Sequence, residues 1–191
     1  MPAERIVVLA SGSGSLFAAL AAADLGAPIV ALITDRECAA EQRATVAGIP
    51  ALRVAMSSDR SEWDRELLAA IESTDPDWIV SAGFMRILGP AVLSRFQGRI
   101  VNTHPAWLPA FPGAHAVRDA LAAGANSTGC TVHFVDGGVD TGPVIAQRAV
   151  EIFPTDNEAS LHERIKEVER DLIVEVVQDL VRGAITYPQD A

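Results

Sequence analysis

The chain has 191 residues, enough for one domain with a full core. Hydrophobic residues make up 49% of it and the formal charge is −10, which argues against disorder and against nonspecific nucleic-acid binding, since the latter needs a basic surface. No apolar run approaches the ~20 residues of a membrane span, and no basic segment precedes a long hydrophobic one, so neither a membrane anchor nor a signal peptide is expected. Cys38 and Cys130 lie far apart with no CxxC and read as two reduced thiols, which fits a cytoplasmic protein. Lys166 is the only lysine, so a phosphate ligand would be met by helix N-termini and a few local cations.

Strand-length apolar runs alternate with helix-length stretches through the first hundred residues. Ile6–Ala10 reads as a strand, Ser15–Leu25 as a helix, Ile29–Ile33 as a strand, Ala39–Ala47 as a helix and Ala51–Val54 as a short strand. Trp63, Leu67, Leu68 and Ile71 recur at helical spacing. Trp78–Ala82 follows as a strand apolar but for Ser81, Ile87–Phe96 as a short helix and Ile100–Asn102 as the next strand. This rhythm predicts a Rossmann-like α/β fold, doubly wound, with a mostly parallel sheet covered on both faces.

The pattern then changes. Pro105, Pro109, Pro112 and Gly113 make a loop that can be neither regular helix nor central strand. Val117–Ala123 resumes a helix. Thr131–Val135 and Pro143–Val150 predict an antiparallel hairpin across the glycine-rich loop Asp136–Gly142. Asn157–Arg182 predicts a long amphipathic helix with Leu161, Ile165, Val168, Leu172, Val176 and Leu180 on one face. No linker or internal repeat divides the chain, so one domain over 1–191 is expected.

Three motifs carry chemistry. Ser11-Gly12-Ser13-Gly14-Ser15-Leu16 joins the first strand to the first helix, where glycines and unpaired N–H groups suit an anion. A dinucleotide reading, with Asp35 ending the second strand, lacks the third glycine because Phe17 stands in its place. A tight turn without a ligand is the third reading. Gly83-Phe84-Met85-Arg86-Ile87-Leu88 follows the strand Trp78–Ala82 and could offer backbone groups and apolar walls to a flat heterocycle, or be a plain helix entry. Asn102 and His104 stand two apart after an apolar run, so both project from one face of a strand's carboxyl end. With Asp140 from the later loop, an amide, an imidazole and a carboxylate could hold an oxyanion and move a proton. A metal site from His104, His115, His133 and Asp140 lacks any short ligand spacing, and none is expected. His133 reads as a structural strand residue and His162 as a surface one.

Ser-Gly-x-Gly-Ser at 11–15, Ala-Gly-Phe-Met-Arg-Ile-Leu at 82–88, Asn-x-His-Pro at 102–105, Leu-Pro-x-Phe-Pro-Gly at 108–113 and Val-Asp-Thr-Gly-Pro-Val-Ile at 139–145 fall in an order that closely resembles phosphoribosylglycinamide formyltransferase, the folate-dependent enzyme of purine synthesis. The resemblance spans nearly the whole chain. It implies a formyltransferase fold whose N-terminal half binds phosphate and whose C-terminal half binds folate and holds the catalytic groups. It implies that Asn102, His104 and Asp140 are catalytic. It implies a 10-formyltetrahydrofolate site of Arg60, Met85, Arg86, Ile87, Leu88, Asn102, Asp136, Gly137, Gly138, Val139 and Asp140. Glycinamide ribonucleotide would take its phosphate to Gly14, Ser15 and Leu16, with Lys166 and Glu169 as the outer wall. Many family members carry Asn where Leu16 stands, so a side-chain contact is lost there, and the basic residue often found at Ala110 is also missing.

The expected reaction is attack of the ribonucleotide's amine on the formyl carbon, with Asn102 and protonated His104 donating to the oxyanion, Asp140 favouring the charged ring, and a water carrying the amine proton to the folate nitrogen. The expected partners are these two small molecules, with no nucleic acid and no membrane; a homodimer stays open. A formyltetrahydrofolate hydrolase would use the same trio on water, but that family carries an extra N-terminal domain for which the early first strand leaves no room. A methionyl-tRNA formyltransferase favours a basic surface. A non-catalytic or redox nucleotide-binding domain is the remaining alternative, and the incomplete glycine motif opposes it.

Overall fold

A computed structural model describes residues 4–188. Seven strands form one sheet: β1 (Ile6–Ala10), β2 (Ile29–Thr34), β3 (Ala51–Arg53), β4 (Trp78–Ser81), β5 (Ile100–His104), β6 (Ser127–Phe134) and β7 (Val144–Glu151). Their spatial order is β3-β2-β1-β4-β5-β6-β7. The first five strands run parallel; β6 is antiparallel to β5, and β7 to β6. Strand order reverses at β1, which sits between β2 and β4, and open α/β sheets bind ligands at the carboxyl ends beside such a switch. Residues 1–3 and 189–191 of the expected domain span lie outside the described part.

Helices α1 (Ser15–Ala22), α2 (Ala39–Ala47), α3 (Arg60–Glu72), α4 (Pro90–Arg95), α5 (Ala116–Ala122) and α6 (Glu158–Val181) cover both faces. The pleat divides β1 between them. Ile6, Val8 and Ala10 pack with α1, α2, α5 and α6; Val7 and Leu9 pack with Trp63, Leu67 and Ile71 of α3 and Val92 of α4. This two-sided burial is why β1 reads as an unbroken apolar run. Asp59 starts α3 by accepting the N–H groups of Ser61 (2.9 Å) and Glu62 (3.0 Å). Asn157 and Ser160 form a reciprocal cap on α6. The stripe from Leu161 to Leu180 is buried except Val168, which is only partly so, and it carries one charged member, Glu169.

Several boundaries differ from expectation. The helix expected over Ile87–Phe96 is α4, Pro90–Arg95. Ile87, Leu88, Val92 and Leu93 have helical spacing, but the residue before a proline is pushed out of the helical region, and Gly89 is extended. The buried Asp64 carboxylate accepts the Ala91 N–H (2.8 Å) and fixes the helix start there. Only glycine fits beside it, because a Cβ at Gly89 would lie 2.3 Å from the Asp64 carboxyl carbon. Residues 83–89 therefore remain irregular. Helix α1 stops at Ala22, short of Leu25, as Ala23 turns extended. Strand β3 ends at Arg53 and β6 at Phe134, one residue early in each case. β6 begins at Ser127, four residues before the expected Thr131, because β7 pairs with it from Ser127↔Glu151 onward. β5 runs on to His104, so Asn102 and His104 share one strand.

Candidate active site

Asn102 and His104 lie on one face of β5, and Thr103 between them faces Glu169 of α6 on the other. The antiparallel register sets Asn102 opposite His133 and His104 opposite Thr131. Asp140 comes from the β6–β7 loop. Its backbone is left-handed (φ 55°), unusual for a non-glycine residue. Asp136 shapes that loop by accepting the Gly138 N–H (3.0 Å) and the Thr141 hydroxyl (2.7 Å).

The trio closes tightly. His104 Nδ1 stands 3.3 Å from Asp140 Oδ2, and its Nε2 stands 2.8 Å from the Phe111 carbonyl. Both ring nitrogens thus face oxygen acceptors, the partner set of a doubly protonated ring. The Gly113 N–H donates to Asp140 Oδ2 (2.8 Å), so the proline-rich loop clamps both members of the pair. Burial pushes the Asp140 carboxyl up, but His133, the Gly113 N–H and the charge of His104 outweigh it and hold the group below its usual range.

His133 is a hydrogen-bonded strand residue, as expected, and it also stands against Asn102 and Asp140. Its Nδ1 donates to the Phe134 carbonyl (2.8 Å), and its Nε2 lies 3.3 Å from Asn102 Nδ2 and 3.6 Å from Asp140 Oδ1. These two Nε2 contacts exclude each other as hydrogen bonds: one needs a lone pair, the other a proton. We favour the shorter one, in which neutral His133 accepts from Asn102 and leaves the second amide N–H free. With His133 in that state, Gly113 and His104 are what oppose the burial of Asp140. The register that brings His133 here is invisible in a single sequence.

Two adjoining cavities share Arg86, Ile87 and Leu88. The smaller, about 80 Å³, is lined by Ser81, Phe84, Asn102, His133, Val135, Asp136, Gly138, Val139 and Asp140 besides. The larger and more open one, about 760 Å³, is lined by Met56, Arg60, Ser61, Asp64, Arg65, Met85 and Gly89–Ala91 in addition. Met85 and Ile87 are exposed. The Arg60 guanidinium lies 4.5 Å from the Trp63 ring centroid and donates to the Ile87 carbonyl. Of the residues expected at a folate site, all but Gly137 line these cavities.

The phosphate-loop candidates line neither cavity. Gly14 caps α1 with φ 70°, and a Cβ there would lie 2.7 Å from the Ala40 Cα, so glycine is required. Leu16 is buried in the core, leaving only its backbone for a ligand. α1 packs against α6, which carries Lys166 and Glu169. Lys166 Nζ lies 3.6 Å from Glu163 on the same helix. His115 caps α5, and His162 is half-buried rather than on the surface. Both cysteines are free. Among the described residues no cluster of His, Cys, Asp and Glu is arranged to hold a metal ion, and no helix is long and apolar enough to cross a membrane.

A family model described as formyl transferase matches residues 4–177. The chain belongs to the formyl transferase family. It is 52% identical to the phosphoribosylglycinamide formyltransferase of Mycobacterium tuberculosis (strain CDC 1551 / Oshkosh), over 95% of this chain and 87% of that protein. It is 37% identical to the Escherichia coli (strain K12) protein of the same name, over 98% and 92%. Among solved structures it resembles glycinamide ribonucleotide transformylase 1 from Symbiobacterium toebii, with a TM-score of 0.92 and 36% identity over 95% of this chain and 89% of that one.

In this formyl transferase Glu169 is the one acidic group on the buried stripe of α6. Burial pushes its carboxyl up to about 7, only partly offset by Thr103, Lys166 and Arg170. The sign is the reverse of an ordinary ion-paired acid. Below the unfolded value both states are protonated and Glu169 costs nothing. Between that value and about 7 the unfolded chain ionises first, so stability falls as pH rises, by on the order of 3 kcal/mol in all. Glu169→Gln should therefore raise Tm at pH 8 and leave it nearly unchanged at pH 4. An equal shift at both pH values, measured by calorimetry, would mean that the carboxyl titrates normally.

Proposed function

We infer that this formyl transferase moves the formyl group of 10-formyltetrahydrofolate onto the primary amine of 5'-phosphoribosylglycinamide, in de novo purine synthesis. The observation that carries the chemistry is the approach of His104 Nδ1 to Asp140 (3.3 Å), beside Asn102 on the same strand face and against the cavity that Asn102 and Asp140 line. The names borne by its relatives point to the acceptor, and the sequence resemblance points to the folate donor.

The neutral amine attacks the formyl carbon and a tetrahedral oxyanion forms. Asn102 donates its free amide N–H to that oxygen. His104 offers Nε2–H, which now donates to Phe111; a full negative charge is a stronger acceptor than a neutral carbonyl and draws the bond to itself. Asp140 stabilises the charged ring. The C–N bond to the folate then breaks, and a water carries the amine proton to the leaving folate nitrogen. The balance is one amide formed and one amide cleaved, with neither redox change nor metal chemistry required.

Folate lies along the Met85–Leu88 wall and beneath the Asp136–Asp140 loop, with Arg60 over the open cavity to meet its acidic tail. The ribonucleotide phosphate sits on the Gly14–Leu16 backbone at the start of α1, facing Lys166. One chain holds both substrates as a single domain. Lys166→Ala should raise KM for the ribonucleotide several-fold, because an exposed charge contact is worth ~1 kcal/mol, and should leave KM for folate unchanged. An unaltered ribonucleotide KM would remove Lys166 from the site.

The reading is tested by offering the purified protein 10-formyltetrahydrofolate with the ribonucleotide, with methionyl-tRNA, or with water alone. Formyl transfer confined to the ribonucleotide is expected. Release of formate at a comparable rate without an acceptor would make the protein a hydrolase and overturn it.

A further inference from the structure

We propose that Ser11 and Asp35, which line neither cavity, are positioning residues that set the folate-reading turn Gly83–Leu88. The inference rests on the folate reading given above. Ser11 follows β1, Asp35 follows β2, and Gly83 follows β4 on the other side of β1. Three carboxyl ends of neighbouring strands thus meet at one point.

The bonds between them are specific. The Ser11 N–H donates to the Gly83 carbonyl (3.1 Å), and the Ser11 hydroxyl oxygen accepts the Met85 N–H (2.8 Å). The next residue, Arg86, donates from Nε to Asp35 Oδ2 (2.7 Å). The turn is therefore pinned at three points, Gly83, Met85 and Arg86. The last of these draws the Arg86 side chain down to the sheet end, so that the turn presents backbone at 86 between the exposed side chains of Met85 and Ile87. A flat heterocycle rich in donors and acceptors is read by such a backbone, and its fit depends on the pitch of the turn.

Asp35 is poorly explained as a stabilising residue. Its side chain is fully buried, and its Oδ1 has no hydrogen-bond partner among the described residues. Burying a charge with one oxygen unsatisfied is unfavourable compared with apolar packing. What it does is hold two guanidinium groups, Arg36 (2.9 Å) and Arg86. Burial raises its carboxyl, but Arg36, Ser11 and Arg86 together bring it to about 2, so the hold on Arg86 persists across the working pH range. Ser11 opens the loop expected to hold phosphate, yet its side chain serves the other substrate.

Steady-state kinetics of Ser11→Ala, Asp35→Asn, Arg86→Gln and the Asp35→Asn/Arg86→Gln pair, with each substrate varied in turn, test this. Removing one partner of a buried bond should raise KM for the formyl donor roughly 5- to 30-fold. KM for the ribonucleotide and kcat should stay within about twofold, a split that general loosening of the fold would not give. The double variant should match the worse single one, since both changes cut the same contact. If Asp35→Asn fails to fold, Ser11→Ala decides, because it leaves the Asp35–Arg86 pair intact. Joint rises in both KM values, or an unchanged donor KM, would overturn the proposal. Equilibrium binding of a stable 10-formyl folate analogue to the unaltered protein separates the two readings. No binding removes the folate reading and this inference with it; binding that Ser11→Ala leaves intact removes only this inference.

Discussion

Asp140→Asn should lower kcat by ~10²–10⁴, the span of a positioned acid–base group, with much smaller changes in either KM. The substitution keeps the shape of the side chain and still offers an oxygen to the Gly113 N–H, which now lies 2.8 Å from Asp140 Oδ2. What it removes is the charge beside His104. The amide also presents a donor or a neutral acceptor where the ring meets a carboxylate, so the imidazolium is less favoured as the oxyanion forms. The decisive comparison is with His104→Ala and the double variant His104→Ala/Asp140→Asn. If Asp140 works through His104, the double variant is little worse than His104→Ala alone, because effects within one catalytic unit are non-additive. Fully multiplicative losses would show independent action. The depressed pKa of Asp140 adds a stability arm to the test. Its stabilising contribution is present above the unfolded Asp value and is lost as pH falls through the lower folded value, so Asp140→Asn should flatten the acid side of the stability curve.

Most of the architecture was legible because two-sided burial leaves a plain mark. The strands at Ile6–Ala10 and Trp78–Ser81 are apolar but for the final Ser81, since helices cover both faces of the sheet. Legibility failed where local spacing and tertiary contact disagreed. The apolar residues from Ile87 onward have helical spacing, yet the Gly89–Pro90 step and the Asp64 carboxylate move the helix start to Pro90. That displacement leaves the turn that lines both cavities irregular. The early start of β6 was hidden because Ser127 and Gly129 are poor strand formers. Pairing with β7 carries them, and Gly129 allows an approach that a Cβ, 2.4 Å from the Arg148 carbonyl oxygen, would block.

The site divides in the same way. Asn102 and His104 were legible as an i, i+2 pair, and the extension of β5 to His104 gives them the shared face that this spacing requires. His133 was not legible, since its place beside Asn102 depends on the β5–β6 register. Nor was the engagement of the His104 ring by the Phe111 carbonyl, a contact made by backbone rather than by a residue type. Leu16, expected to offer a ligand its backbone alone, packs its side chain into the core, in keeping with that reading.

Asn102 gives the second large effect. Asn102→Ala removes one of two expected oxyanion donors and should lower kcat by ~10²–10³. Asn102→Asp is closer in shape and should be worse. It replaces a donor with a charged acceptor at the point where negative charge develops. It also sets a second carboxylate near Asp140, because Asn102 Nδ2 and Asp140 Oδ1 approach the same His133 nitrogen, at 3.3 and 3.6 Å. Two carboxylates so placed do not both ionise freely, and His133 would gain a reason to protonate, which reverses the acceptor role it plays toward the amide. The order unaltered > Asn102→Ala > Asn102→Asp in kcat is therefore expected, with binding of a folate analogue altered far less in the alanine variant. If Asn102→Asp retained more activity than Asn102→Ala, shape rather than hydrogen-bond donation would be what residue 102 supplies, and the oxyanion role assigned to its amide would have to be given up.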